Sequence, residues 1–90
     1  MTTITDLIFK THDGKRVGFM RKTHKQEFVP ILNASLEDNA WHGEKKINKI
    51  SINPDHNYYI LSVDDEIVES PEFYLELSKA YVAHGWEKIQ

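Results

Sequence analysis

Apolar and polar residues alternate over residues 7–21, which is the pattern of β-strands that bury one face. Residues 7–11 and 15–21 predict two strands, and residues 12–14 predict the turn between them. Gly14 suits this turn because glycine readily adopts the positive φ that short hairpin loops require. The alternation places Leu7, Phe9, Val17 and Phe19 on one face of the predicted hairpin. It places Lys10, Arg16, Met20 and Lys22 on the other face.

Three further segments are rich in apolar and β-branched residues and predict strands, namely residues 27–32, 47–52 and 58–63. Pro30 cannot donate a ladder hydrogen bond, so the first of these strands is expected at a sheet edge or at a bulge. Residues 58–63 are apolar on both faces, which favours a central strand that is covered on both sides. Residues 33–46 show no clear period.

The best-marked element is a helix over about residues 71–84. Ser70 is a favourable N-cap, and Pro71 follows at the first helical position, where a missing N–H costs nothing. Gly85 is a typical residue just beyond a helix C-terminus. The predicted apolar face of the helix consists of residues at helical spacing, namely Phe73, Leu77, Ala80, Tyr81 and His84.

Strands clustered before a single helix indicate an α+β fold. The sequence predicts a small antiparallel sheet of four to five strands with one C-terminal amphipathic helix (about 71–84) packed on one face. Residues 66–68 and 86–89 are compatible with short additional strands. Residues 1–90 are expected to form a single domain, because a chain of this length has no room for two cores.

The chain has no cysteine, which removes disulfides, thiolate metal sites and a cysteine nucleophile from consideration. A secreted domain of this size usually needs disulfides, so their absence favours a reducing compartment, and we expect a cytoplasmic location. No apolar run approaches the roughly 20 residues of a membrane span, so no membrane partner is expected.

Charge is distributed unevenly between the two halves of the chain. Residues 1–50 contain nine Lys or Arg and six Asp or Glu, whereas residues 51–90 contain two and eight. Such asymmetry is a sign of partner binding. The acidic side chains in and before the predicted helix are Asp64, Asp65, Glu66, Glu69, Glu72 and Glu76.

The first functional hypothesis is a non-enzymatic protein–protein interaction module, such as an inhibitor, immunity or accessory protein. It would bind a basic partner protein through the acidic residues just named. Trp41, which lies in an irregular segment, and Tyr74, which lies off the predicted apolar face, are candidate contact anchors. The sequence identifies neither the partner nor the oligomeric state.

The second hypothesis is a nucleic-acid-binding domain that uses the basic N-terminal hairpin. Six basic residues fall within sixteen positions, namely Lys10, Lys15, Arg16, Arg21, Lys22 and Lys25. A β-ribbon with such a face can follow a phosphate backbone. The sequence pI of about 5.9 counts against this hypothesis, because dedicated nucleic-acid binders are usually basic overall.

The third hypothesis is a small metal-dependent hydrolase built on the histidines. They lie at positions 12, 24, 42, 56 and 84, and no two have the local spacing of a metal-binding or catalytic motif. No phosphate-binding loop or nucleophile elbow is present either. The sequence therefore predicts no catalytic, cofactor-binding or metal-binding residues.

Overall fold

The computed structural model describes residues 1–90 and contains seven strands and one helix. In chain order they are β1 (Thr2–Thr11), β2 (Arg16–Thr23), β3 (Ser35–Glu37), β4 (Glu44–Asn53), β5 (Tyr58–Val63), β6 (Glu66–Val68), α1 (Pro71–Ala83) and β7 (Trp86–Lys88). The α+β class with a C-terminal helix is confirmed. The sheet is larger than predicted, because it includes three strands of only three residues. Strands β6 and β7 lie where the sequence is compatible with short additional strands, whereas β3 lies in the segment that shows no clear period.

All seven strands belong to one sheet, in the order β3-β4-β5-β1-β2-β7, with β6 also beside β1. Strand β1 is the central strand. It pairs antiparallel with β2, and it pairs parallel with β5 and β6 at its two ends. The sheet is therefore mixed, and the prediction of an antiparallel sheet is corrected. The parallel pairs join residues more than fifty positions apart, which alternation in the sequence does not reveal.

The β1–β2 hairpin forms as predicted, but its register differs. Leu7 lies opposite Met20, and both side chains are fully buried. The register shifts beyond Phe9, so that Val17 is the extra residue of a β-bulge, although it still packs against the core. The bulge reverses the predicted faces in the remainder of β2: Phe19 faces away from the helix and Met20 faces the core.

Helix α1 begins where the sequence predicts and ends one residue earlier. The Ser70 hydroxyl accepts a hydrogen bond from the Phe73 N–H at 3.1 Å, and Pro71 is the first helical residue. Gly85 lies two residues beyond the last helical residue with φ +90°, a conformation that glycine adopts without steric cost. Both helix ends therefore depend on local sequence signals.

The buried face of α1 is rotated from the predicted one. Tyr74, Ser78 and Tyr81 are buried, whereas Phe73 is 48% exposed. The aromatic rings of Tyr74 and Tyr81 both pack on Phe9, with ring centroids 4.7 and 5.2 Å apart. We call the side of the sheet that packs against α1 the inner face. The opposite, outer face has no helix over it, so β5 is covered on one side and not on both.

The predicted strand at 27–32 is absent, and the chain instead crosses the inner face without regular structure. We call residues 24–34 the crossover. The crossover starts beside β1, where the Phe28 carbonyl accepts a hydrogen bond from the Thr3 hydroxyl at 2.8 Å. It ends beside β4, where the Asn33 N–H donates to the Ile47 carbonyl at 2.8 Å. Pro30 is buried in its middle. The core is thus covered partly by α1 and partly by the crossover and the loop that follows β3.

No helix of the chain has both the length and the apolar composition that a membrane crossing requires.

Candidate functional site

The most buried charged group on the inner face is the carboxylate of Asp38, whose side chain is only 3% exposed. It accepts hydrogen bonds from Lys22 Nζ at 2.6 Å, from the Trp86 indole at 3.0 Å and from the Ala40 N–H at 2.9 Å. Burial alone would raise the pKa of Asp38, but these donors lower it below its ordinary value. A carboxylate with every partner inside the protein stabilises the fold and is not available to a ligand.

His24 lies on the same side of the sheet and pairs with a threonine. Its Nε2 is 2.6 Å from the Thr5 hydroxyl, and its ring packs edge-on against Phe28. Burial lowers the pKa of His24, and the nearby positive charge of Lys22 lowers it further. A neutral histidine beside a hydroxyl resembles a base and a nucleophile, but Thr5 is fully buried and no substrate reaches it. The pair therefore holds the crossover to β1.

A shallow cleft of about 790 Å³ separates the start of the crossover from the C-terminal end of α1. His24 and His84 line it from opposite sides, together with Lys25 and Glu37. Among all residues 1–90, no three His, Asp or Glu side chains are arranged to hold a metal ion. Two of the five histidines are thus brought to one cleft, without a third ligand.

The acidic residues predicted to bind a partner mostly contact side chains of their own chain. Asp64 accepts a hydrogen bond from Asn48, Asp65 pairs with Lys10, Glu66 accepts from Tyr81, Glu69 approaches His12 and Glu76 pairs with Lys79. Only Glu72 makes no such contact. Burial and the neighbouring Glu66 carboxylate both raise the pKa of Tyr81, which keeps its hydroxyl protonated as a donor. Lysines therefore neutralise Asp65 and Glu76, while Asp64, Glu66 and Glu69 are also engaged by side chains of the same chain.

The basic residues of the hairpin are similarly occupied. Arg21 donates two hydrogen bonds of 2.6 and 3.0 Å to the Asp6 carboxylate, and Lys22 donates one to the Asp38 carboxylate. Lys10 pairs with Asp65, and Arg16 donates to the Gln90 side chain at 2.7 Å. The two side chains without such contacts, Lys15 and Lys25, are exposed and lie at opposite ends of β2. The six charges do not form one free basic stripe.

The two predicted aromatic anchors take part in packing. Tyr74 is 2% exposed, and its hydroxyl donates to the Gln90 carbonyl at 2.6 Å. It lies on the buried face of α1 because that face is rotated from the predicted one. Trp41 is half-buried, and its ring stacks at a tilt on Trp86, 5.8 Å away, while its indole N–H has no hydrogen-bond partner. The ring of Tyr74 is therefore not exposed, whereas part of Trp41 remains accessible.

The most exposed apolar side chains of the molecule lie outside every surface predicted from the sequence. Val29 is 70% exposed, Ile31 67% and Leu32 53%, all in the crossover, and Ile52 on the inner face of β4 is 61% exposed. We call these four residues the apolar edge. The crossover runs from β1 to β4, so its exposed residues lie on the same face and toward the same edge as Ile52. The signal in the sequence was an apolar run around a proline, which resembles an edge strand.

Beside the apolar edge, one half of β4 lacks a neighbour on one side. Strand β3 pairs with β4 only over residues 44–46, and two further backbone hydrogen bonds tie the chain before β3 to Ile47. Residues 49–53 pair with β5 on one side and with no strand on the other, and Asn48 is the extra residue of a β-bulge between Ile47 and Lys49. We call residues 48–53 the open half of β4. An unpaired strand edge presents free backbone N–H and C=O groups that can bind another strand.

Comparisons of the chain with known protein families, with curated proteins and with solved structures find no match.

Proposed function

We propose that this chain is a non-enzymatic protein–protein interaction module whose working surface is the apolar edge together with the open half of β4. The partner contributes an extended segment that continues the sheet beyond β4, a mode of recognition in which backbone hydrogen bonds supply affinity and side chains supply specificity. Such a module acts by occupying or recruiting another polypeptide, as an inhibitor or accessory protein does.

One observation carries this proposal. Of the five most exposed large apolar side chains in the molecule, four belong to the apolar edge. Contiguous exposed apolar surface is unusual on a monomeric protein and marks interaction sites. Here it lies next to unpaired strand backbone, which is the second component that an extended partner segment requires.

The other two candidate surfaces support binding less well. Five of the six acidic residues near α1 and four of the six basic residues of the hairpin already contact side chains of the same chain. Binding through such residues would replace an exposed contact within the chain by a similar contact with the partner. Because exposed ion pairs contribute little free energy, this replacement gives little net binding energy. The apolar edge has no internal contacts of this kind to break.

Affinity purification from the native source with surface variants tests the proposal. Ile31→Asp disrupts the apolar edge at a residue that is 67% exposed, so the fold itself should tolerate it. Glu72→Lys and Lys15→Glu are matched controls on the acidic and basic surfaces. We expect a polypeptide bound to the wild type and to both controls and lost from Ile31→Asp.

The opposite pattern refutes the proposal. If Glu72→Lys loses the partner while Ile31→Asp keeps it, the acidic surface is the working one. Retention of RNA or DNA in place of protein, with loss of that retention in Lys15→Glu and at raised salt, would establish the nucleic-acid function instead.

A further inference from the structure

We infer that the polypeptide bound at the apolar edge is a second copy of this chain, joined through antiparallel pairing of the two open halves of β4. This inference rests on the proposed function and adds the identity of the partner. The resulting dimer has a two-fold axis perpendicular to the sheet, and the two sheets continue as one.

The length of the open half selects one register. In an antiparallel pair, opposite residues have their side chains on the same face, so Ile50 on the inner face opposes only an inner-face residue of the second copy. An axis through Ile50 would draw Ile47 into the pairing, but the N–H and C=O of Ile47 already bond to Ala34 and Asn33. An axis through Ser51 avoids this conflict and keeps the pairing almost entirely within residues 48–53.

The side chains agree with the register centred on Ser51. It places Ile50 opposite Ile52 of the second copy on the inner face, in two equivalent pairs. It places Lys49 opposite Asn53 of the second copy on the outer face, so no like charges face each other. Opposed β-branched apolar residues are favourable cross-strand pairs, whereas opposed lysines are not.

Charge at the two ends of the open half is self-complementary. Lys46 and Lys49 lie toward one end, and Asp55 lies in the turn beyond the other end. None of these three side chains forms an ion pair within the chain. A two-fold axis through Ser51 brings the lysine end of each copy toward the aspartate end of the other. This arrangement steers two copies into the antiparallel orientation.

The same symmetry covers the apolar edge. A two-fold axis perpendicular to the sheet keeps both inner faces on the same side of the dimer. The crossovers of both copies therefore lie on the same side of the continuous sheet as Ile52, one on each side of the β4 junction. The apolar edges of the two copies therefore lie on one surface beside the junction. Interfaces between identical subunits are usually apolar in this way.

Sedimentation equilibrium and cysteine cross-linking of the full chain test this inference. We expect a mass of twice the 10.5 kDa chain, and at least a tenfold weaker self-association for Ile31→Asp. The chain has no cysteine, so Ser51→Cys introduces a single thiol on the proposed axis. A short bismaleimide should join Ser51→Cys chains into covalent dimers, whereas the control Glu72→Cys, on the exposed side of α1, should remain monomeric.

Each outcome decides the inference and leaves the proposed function separately testable. A monomer in which Ser51→Cys is cross-linked no faster than Glu72→Cys refutes the dimer. A dimer that is cross-linked through Glu72→Cys and not through Ser51→Cys also refutes it, because the copies would then meet elsewhere. If a monomeric chain still captures a different protein, and Ile31→Asp abolishes that capture, the proposed function stands and only the partner is wrong.

Discussion

Replacing Gly18 by alanine should destabilise this fold severely, although both residues are small. Gly18 lies in β2 opposite Phe9, and the ring of Tyr74 rests directly on it. A Cβ atom at this position would lie closer than 3.0 Å to the Cζ, Cε1 and Cε2 atoms of that ring. Since ordinary carbon contacts form at about 3.5–4.0 Å, the ring would have to retreat by about 1 Å or more.

The surroundings of Tyr74 prevent that retreat. Its side chain is 2% exposed, its ring packs on Phe9 with centroids 4.7 Å apart, and its hydroxyl donates to the Gln90 carbonyl at 2.6 Å. Overpacking of a core costs about 1–3 kcal/mol, and loss of the hydroxyl bond adds about 1 kcal/mol. Alanine also restricts the unfolded chain, which offsets about 0.4–1 kcal/mol of this cost and leaves a net loss of about 2 kcal/mol.

Urea unfolding at neutral pH measures this loss. A chain of 90 residues is expected to have about 5–13 kcal/mol of total stability, so a change of about 2 kcal/mol is readily seen. Gly43→Ala is the matched control, because no atom lies within 4 Å of a Cβ at that position. It has only the unfolded-chain effect, so it should leave stability unchanged or raise it by up to about 1 kcal/mol.

A second substitution isolates the cause. In a Tyr74→Leu background, where the far ring atoms are absent, Gly18→Ala should cost under about 1 kcal/mol, which is a strong departure from additivity. Two results would refute the reasoning: a Gly18→Ala variant as stable as Gly43→Ala, or equal costs of Gly18→Ala with and without the Tyr74 ring.

Three further predictions concern stability and are checked by unfolding free energies. Because burial lowers the pKa of His24 below its ordinary 6.5, neutral His24 supports folding above that pH. This support is lost as the pH falls through the folded-state pKa, so His24→Gln should flatten the decline in stability below about pH 6.5. Asp38→Ala leaves Lys22 and the Trp86 indole without their hydrogen-bond acceptor and should cost about 2–4 kcal/mol of unfolding free energy. A loss below about 1 kcal/mol would contradict the role of Asp38 in stabilising the fold. Ser70→Ala removes the N-cap bond of α1 and should cost about 1 kcal/mol, with Ser70→Gly losing less; equal stability of Ser70→Ala and wild type would show that the cap is dispensable.

Features that depend on neighbouring residues were predictable from the sequence. Ser70, Pro71 and Gly85 act within one turn of their own positions, so the helix ends could be found without knowing the fold. The buried face of the same helix could not. Tyr74 is inward because Gly18, far away in the chain, leaves room for its ring and the Gln90 carbonyl accepts its hydroxyl.

Features that depend on pairing between distant segments were not predictable. The bulge at Val17 changes the faces of β2, and nothing in the alternation marks it. The run around Pro30 was interpreted as an edge strand, because an apolar segment with a proline reads the same whether it pairs in a sheet or crosses over one. The crossover therefore gives no sign in the sequence that its apolar residues are exposed, whereas charged residues are visible in any sequence.

The central position of β1 has a consequence for the order of folding. Residues near the start of the chain must find β5 and β6, more than fifty positions later, and β2 can pair with β1 long before either is available. During synthesis one flank of β1 therefore stays unoccupied, and the apolar side of β1 and β2 stays uncovered, until β5 and β6 have been made. Contacts so distant in sequence slow folding, since each requires closure of a long loop. Before β5 and β6 are available, this chain is therefore most prone to misassociation and to binding by a chaperone.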